Sequence, residues 1–152
     1  MKKGRTVGLI IRKYRQSDQN ELMSAWEAAN ALAHPFLEQS YVAQVRHDIP
    51  ALYLPNGETW VAEINNHVVG FITLVGIEIG ALFLQPGYHG KGVGRALMDK
   101  AQGLHETLEV EVFSDNGIGR EFYRKYGFEY LEEIFHAPSD QKVLRLKYSV
   151  ST

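Results

Sequence analysis

Hydrophobic and polar positions change period several times along this chain, and each change marks an element. Residues 7–14, with Leu9, Ile10 and Ile11 leading into Arg12 and Lys13, are β-rich and predict a first strand. Leu22, Trp26, Ala29 and Ala33 then recur at helical spacing behind Ser17 and Asp18, which suit a helix start. His34-Pro35 interrupts that helix, and residues 36–48 predict a second one. Pro50, Pro55 and Asn56-Gly57 predict a loop. Residues 59–64 and 68–75 predict a hairpin around Asn65-Asn66. A strand at 78–84 and a helix at 92–103 follow, the helix carrying Val93, Ala96, Leu97, Lys100 and Ala101 along one side. In 107–113, Leu108, Val110 and Val112 alternate with Glu109 and Glu111, which gives a strand with one buried face. Asn116 opens a short helix that Gly127 ends, and residues 128–135 and 142–150 predict two closing strands.

This order predicts an α+β fold: a mixed, mostly antiparallel sheet flanked by helices on both faces. The strand–helix–strand unit spanning 78–113 predicts a parallel pair with a right-handed crossover. At 152 residues the chain reads as a single domain, with a core over about 7–150 and no linker or repeat. A composition of 45% hydrophobic and 22% charged residues argues against disorder. The net charge of −2 offers no general attraction to nucleic acid or acidic membranes. With no cysteine, disulfides, thiolate metal sites and an acyl-cysteine route are excluded, and His, Asp and Glu fall at no metal-ligand spacing. Met1-Lys2-Lys3-Gly4-Arg5 has the charge of a signal-peptide start, but the apolar run after it is too short for a signal core. No run approaches the ~20 apolar residues of a membrane helix. A cytoplasmic location is therefore expected.

The richest chemistry lies in Leu82-Phe83-Leu84-Gln85-Pro86-Gly87-Tyr88-His89-Gly90-Lys91-Gly92-Val93-Gly94-Arg95. A strand runs into a tight glycine turn and then a helix start, whose unpaired N–H groups and positive dipole end attract phosphate. Glycines let a diphosphate approach the backbone. A pyrophosphate-bearing cofactor is the reading. A Walker loop would need Lys-Ser or Lys-Thr after its last glycine, and this loop is one residue short of the dinucleotide fingerprint. Glu109 or Glu111, roughly twenty positions on, keeps a weak dinucleotide alternative open.

The loop resembles the pyrophosphate loop of GNAT-type N-acetyltransferases, Arg/Gln-x-x-Gly-x-Gly/Ala after a strand. His89 stands at the Arg/Gln position, and Gly92 and Gly94 match the small positions. Residues 116–128, from Asn116 through Phe122-Tyr123 to Gly127-Phe128, are similar to the family's N-x-x-A-x-x-F-Y-x-x-x-G-F, with Gly119 replacing the alanine. Trp60-Val61-Ala62-Glu63 and Val68-Val69-Gly70-Phe71-Ile72 resemble its central hairpin, so the similarity covers nearly the whole chain. It also extends to small bacterial members with an Ala-His-Pro/Asp-Phe-Leu-like segment.

The resemblance implies acetyl transfer from acetyl-CoA to a primary amine, by direct attack in a ternary complex. It implies backbone contacts from Leu82, Phe83 and Leu84 to the pantetheine arm. Diphosphate contacts would come from His89, Gly90, Lys91, Gly92, Val93, Gly94 and Arg95, and a cofactor hydrogen bond from Asn116. Capping alone would equally explain Asn116. Tyr123 is the implied general acid and Glu78 the implied base; a solvated helix tyrosine and a polar strand glutamate are the bland alternatives. His34 and Phe36 fall where the family shapes its acceptor pocket, and Trp26 and Tyr41 are further candidates for an apolar slot. Acetyl-CoA and an amine acceptor are the expected partners, and a homodimer is compatible with this reading. A coenzyme A-binding sensor or interaction domain without turnover is the alternative.

Overall fold

The computed structural model describes residues 8–150. The basic start and Val7 therefore lie outside the described residues. Seven strands form one sheet in the order β1-β2-β3-β4-β5-β7-β6. They are β1 (Ile10–Lys13), β2 (Glu58–Ile64), β3 (His67–Val75), β4 (Glu78–Leu84), β5 (Thr107–Phe113), β6 (Glu129–His136) and β7 (Gln141–Ser149). Every neighbouring pair is antiparallel except β4 and β5, which are parallel. The mixed, mostly antiparallel sheet and its single parallel pair match the sequence expectation.

Helices cover both faces, as expected. On one face α1 (Gln19–Ala33) and α2 (Gln39–Asp48) bury Leu22, Trp26 and Val42 against Val61, Phe71 and Ala81. On the other, α4 (Val93–Leu104) and α5 (Gly117–Tyr126) bury Val93, Leu97, Met98 and Tyr123 against Ile72, Ile79, Val110 and Val112. The alternation along β5 thus sends its valines to the α4 side and leaves Glu109, Glu111 and Phe113 on the α1 side. Asn65 and Asn66, with φ of 52° and 67°, make the tight hairpin turn between β2 and β3 that their residue type favours.

The structure departs from the pattern reading in three places. Asp18 does not cap α1 through its side chain; it closes a 3₁₀ turn and accepts two hydrogen bonds from the Arg12 guanidinium at 2.8 and 2.9 Å. The Arg12 ion pair and the Arg15 backbone N–H, at 2.8 Å, have taken the capping group. The second helix begins at Gln39 rather than 36, because residues 34–38 form the turn that redirects the chain. The loop expected around Pro50 and Pro55 is helical: a π-turn at Ile49–Tyr53 leads into a single turn, α3 (Leu54–Asn56). The stretch from Gln39 to Asn56 is helical without a break, so Pro50 falls inside it, and its missing N–H interrupts the bonding where the π-turn forms.

Candidate active site

Strands β4 and β5 pair only through Glu78↔Glu109 and Ile79↔Val110. Beyond Ile79 the two strands continue to Leu84 and Phe113 without pairing to each other. Their parting opens the sheet, and a cleft of about 750 Å³ passes through it. The cleft touches the glycine loop and α5 on one side, and α1, α2 and the ends of β5 and β6 on the other. This splay is a tertiary feature that strand patterning alone does not contain.

At the first end, β4 leads through a 3₁₀ turn (Pro86–Tyr88) and the glycine loop into α4. Gly90 and Gly92 have φ of +75° and +84°, a region that side-chain-bearing residues rarely adopt, and Gly92 is the N-cap of α4. No side chain caps this helix start. The first N–H groups of α4 therefore have no intrahelical partner, and Ala96 makes the first bond, to Gly92, at 3.0 Å. Arg95 lies with its guanidinium 5.3 Å from the centre of the Tyr126 ring, and both residues line the cleft. Tyr126 donates from its hydroxyl to Asp99 at 2.6 Å, so its polar end is engaged with protein rather than left to water. His89, Gly90, Gly92, Gly94 and Arg95 line the cleft, as do Leu82, Phe83 and Leu84 of the unpaired edge. Lys91 is not on its wall; its ammonium lies 5.6 Å from the Tyr88 ring. The Val93 side chain is fully buried in the core, so only its backbone faces the loop.

Tyr123 reaches the cleft wall from α5, its ring held between Phe122 and Phe128 at centroid distances of 5.4 and 5.1 Å. It is buried, unlike the solvated tyrosine of the alternative reading. Burial pushes its phenol well above the usual range, so it is protonated at neutral pH.

Glu78 and Glu111 line the cleft on the α1 side. Arg145 of β7 holds Glu111 at 2.6 Å and Glu109 at 2.8 Å, with Glu78 further off at 3.6 Å. Burial pushes the Glu78 carboxyl up; Arg145 pulls it back down, while Glu111 and Glu109 add to the rise. A carboxylate so placed is a better proton acceptor than a solvated one. Aromatic rings wall the same end. Tyr41 meets Phe113 and His136 edge-to-face at 6.5 and 6.0 Å, and Trp26 and Tyr53 also line it.

His34 lines the cleft, yet both ring nitrogens are engaged, with Asn30 at 2.7 Å and Asn116 at 3.0 Å. It offers an acceptor amine only a ring face, and burial lowers its pKa to about 4. Phe36 is not on the cleft wall; it backs His34 and Phe113 at 5.8 and 5.7 Å. Asn116 caps α5 by accepting from Gly119 N–H at 2.8 Å, and it lines the cleft as well. Sequence reasoning missed Glu111, Phe113 and His136. The signal for the first two was present, since β5 alternation puts them on one face, but that face reads as solvent until α1 and α2 are packed beside it. Among the described residues no group of His, Asp and Glu is arranged to hold a metal ion.

One cleft thus joins a helix start without a side-chain cap, a strand edge without a partner, a buried tyrosine and a carboxyl raised by burial. The acetyltransferase (GNAT) domain model matches residues 55–130, half of the chain, and the protein belongs to that family of acetyltransferases. Peptidyl-lysine N-acetyltransferase YjaB of Escherichia coli (strain K12) is 33% identical over 122 residues, covering 80% of this chain and 82% of the relative. Peptidyl-lysine N-acetyltransferase YiaC of the same organism is 28% identical over 81% of this chain and 85% of its own. The solution structure of apo-form E. coli YjaB superimposes with a TM-score of 0.82 at 29% identity, covering 92% of this chain and 97% of that one. The crystal structure of the PaiA N-acetyltransferase from Thermoplasma acidophilum, in complex with coenzyme A, shares the fold at TM-score 0.73 and 18% identity, covering 93% and 100%.

Proposed function

We propose that this acetyltransferase moves the acetyl group of acetyl-CoA directly onto a primary amine, and that the amine is a lysine side chain in a peptide or protein. The observation that carries the reading is the continuity of the cleft. One opening joins a phosphate-type helix start to an aromatic, carboxylate-bearing chamber through the gap between β4 and β5.

The residues present fit acetyl-CoA. The N–H groups at the start of α4 and the Arg95 guanidinium suit a diphosphate. The free edge of β4 at Leu82–Leu84 suits an amide-bearing arm that pairs as an added strand. Acetyl-CoA supplies the activated acetyl thioester. For the acceptor, Trp26, Tyr41 and Phe113 offer apolar walls to an alkyl stem, and ring faces attract an ammonium. Glu78 accepts the ammonium proton at its carboxylate, directly or through water, leaving a neutral nucleophile. Tyr123 holds its proton at Oη, available to the departing thiolate. Splayed strands align the two substrates and convert an encounter of two molecules into a step within one complex. The peptidyl-lysine activity carried in the names of YjaB and YiaC supports the acceptor class.

The test is an amine panel with acetyl-CoA, following thiol release and acetylated product by mass. Lysine peptides should turn over faster than polyamines or amino-acid α-amines. Thiol release with no acetylated amine would replace this reading with a hydrolytic or binding-only role.

A further inference from the structure

His34 is a cleft histidine whose protonation pattern the surrounding atoms determine. The backbone N–H of Gly119 is a donor and nothing else, and Asn116 Oδ1 accepts it at 2.8 Å. The Asn116 amide nitrogen, Nδ2, must then face His34 Nε2 across 3.0 Å, and Nδ2 is a donor. Nε2 is therefore the acceptor, and the ring proton sits on Nδ1, which donates to Asn30 Oδ1 at 2.7 Å. Flipping the Asn116 amide would set two donors face to face at Gly119, whatever the tautomer of His34. All three side chains are buried, where an unmet polar group is costly, so one orientation survives.

Two further features point to the same arrangement. His34 is the C-cap of α1 and Asn116 the N-cap of α5, so this bond ties together helices on opposite faces of the sheet at the parted strands. Gly119 stands where the resembled motif has alanine. A Cβ there would lie 2.6 Å from Asn116 Nδ2 and 3.0 Å from Val112, so a side chain at this position would displace the amide. Phe113 and Phe83 meet the imidazole edge-on at 4.9 and 6.1 Å and fix its plane.

We propose that His34 is a positioning residue of this enzyme: as its Nδ1-protonated tautomer it locks the Asn116 amide and the first turn of α5 in the orientation that receives coenzyme A. The inference rests on the acetyl-transfer reading above for the identity of the ligand. His34 touches neither the transferred acetyl group nor the amine proton. It acts through Asn116, which keeps one N–H of Nδ2 and one lone pair of Oδ1 beyond these bonds.

The experiment combines ¹⁵N NMR of the histidine ring with a coenzyme A binding cycle by calorimetry. In the wild-type protein at pH 7, His34 should show a protonated Nδ1 and a bare Nε2. His34→Leu and Asn116→Ala should each weaken coenzyme A about tenfold, and the double variant should be no weaker than Asn116→Ala alone. His34→Gln, which restores an acceptor oxygen, should recover most of the loss. Gly119→Ala, which perturbs the amide from its other side, should weaken binding with His34 intact. A protonated Nε2, or losses that simply add in the double variant, overturns the proposal and leaves His34 as packing. Should His34→Leu fail to fold, the tautomer and the affinity of His34→Gln still decide. Wild-type protein that does not bind coenzyme A overturns the acetyl-transfer reading and this inference with it.

Discussion

Glu78 lies 3.6 Å from Arg145, a looser pairing than the same guanidinium makes with the two glutamates of β5. The consequence is a carboxyl that burial raises and Arg145 only partly restrains. If Glu78 takes the amine proton, its ionised form is the active one, so turnover falls as pH drops through its raised pKa. Glu78→Gln should lower kcat by roughly 10²-fold or more and flatten the acid limb of the pH–rate profile. Arg145→Met, which removes the restraint, should move that limb to higher pH. A limb that stays in place in both variants removes Glu78 from proton transfer.

Tyr123 combines a cleft position with a phenol that burial keeps protonated. Tyr123→Phe retains the ring contacts with Phe122 and Phe128 and deletes one donor. The chemical step should slow by roughly 10²–10⁴-fold, about 3–5 kcal/mol of barrier, with small changes in coenzyme A affinity and Tm. Single-turnover kinetics are needed because product release can mask the step at steady state. An undiminished rate means that water or another donor protonates the sulfur.

Gly92 caps α4 with φ of +84° and open space around its Cα. Gly92→Glu brings bulk and negative charge to the anion site, and the backbone strain of a residue at positive φ costs about 1–3 kcal/mol in stability. Coenzyme A should raise the Tm of the wild-type protein with concentration and leave this variant nearly unshifted. Arg95→Ala should weaken binding less, with a smaller salt dependence than the wild type. Undiminished affinity in Gly92→Glu, measured by calorimetry, would falsify the diphosphate assignment.

Arg12 and Asp18 tie β1 to the turn before α1, with side chains only 22% and 7% exposed. The Arg12 hydrogen bonds hold the Asp18 carboxyl below its ordinary value, against a smaller opposing effect of burial. A depressed carboxylate contributes stability that is present above the unfolded pKa of ~3.9 and is lost as pH falls through the folded one. Asp18→Asn should cost about 2–3 kcal/mol at pH 7, with the difference shrinking below pH ~4. Urea denaturation at several pH values checks it. A difference constant from pH 7 to pH 3 would mean that the ion pair contributes nothing to the gap.

Periodicity and turn chemistry sufficed for β4, β5, the hairpin at Asn65-Asn66 and the two helix starts at Gly92 and Asn116. These features are local: a strand alternates with period two, two asparagines tolerate positive φ, and a glycine loop presents bare N–H groups whatever surrounds it. The same locality made the glycine loop and its bare helix start legible in the chain. The aromatic end of the cleft was not. Glu111 and Phe113 share a strand face whose character depends on whether water or α1 and α2 lie against it. Arg145 gathers three carboxylates from two other strands, and His34 meets Asn116 across 82 positions. Local sequence therefore determined most of the elements and the bare helix start at Gly92, because short-range hydrogen bonding and sterics decide both. Tertiary structure alone decided the parting of β4 and β5, the depth at which Glu78 sits and the tautomer of His34, because each depends on groups brought together only when the sheet is assembled.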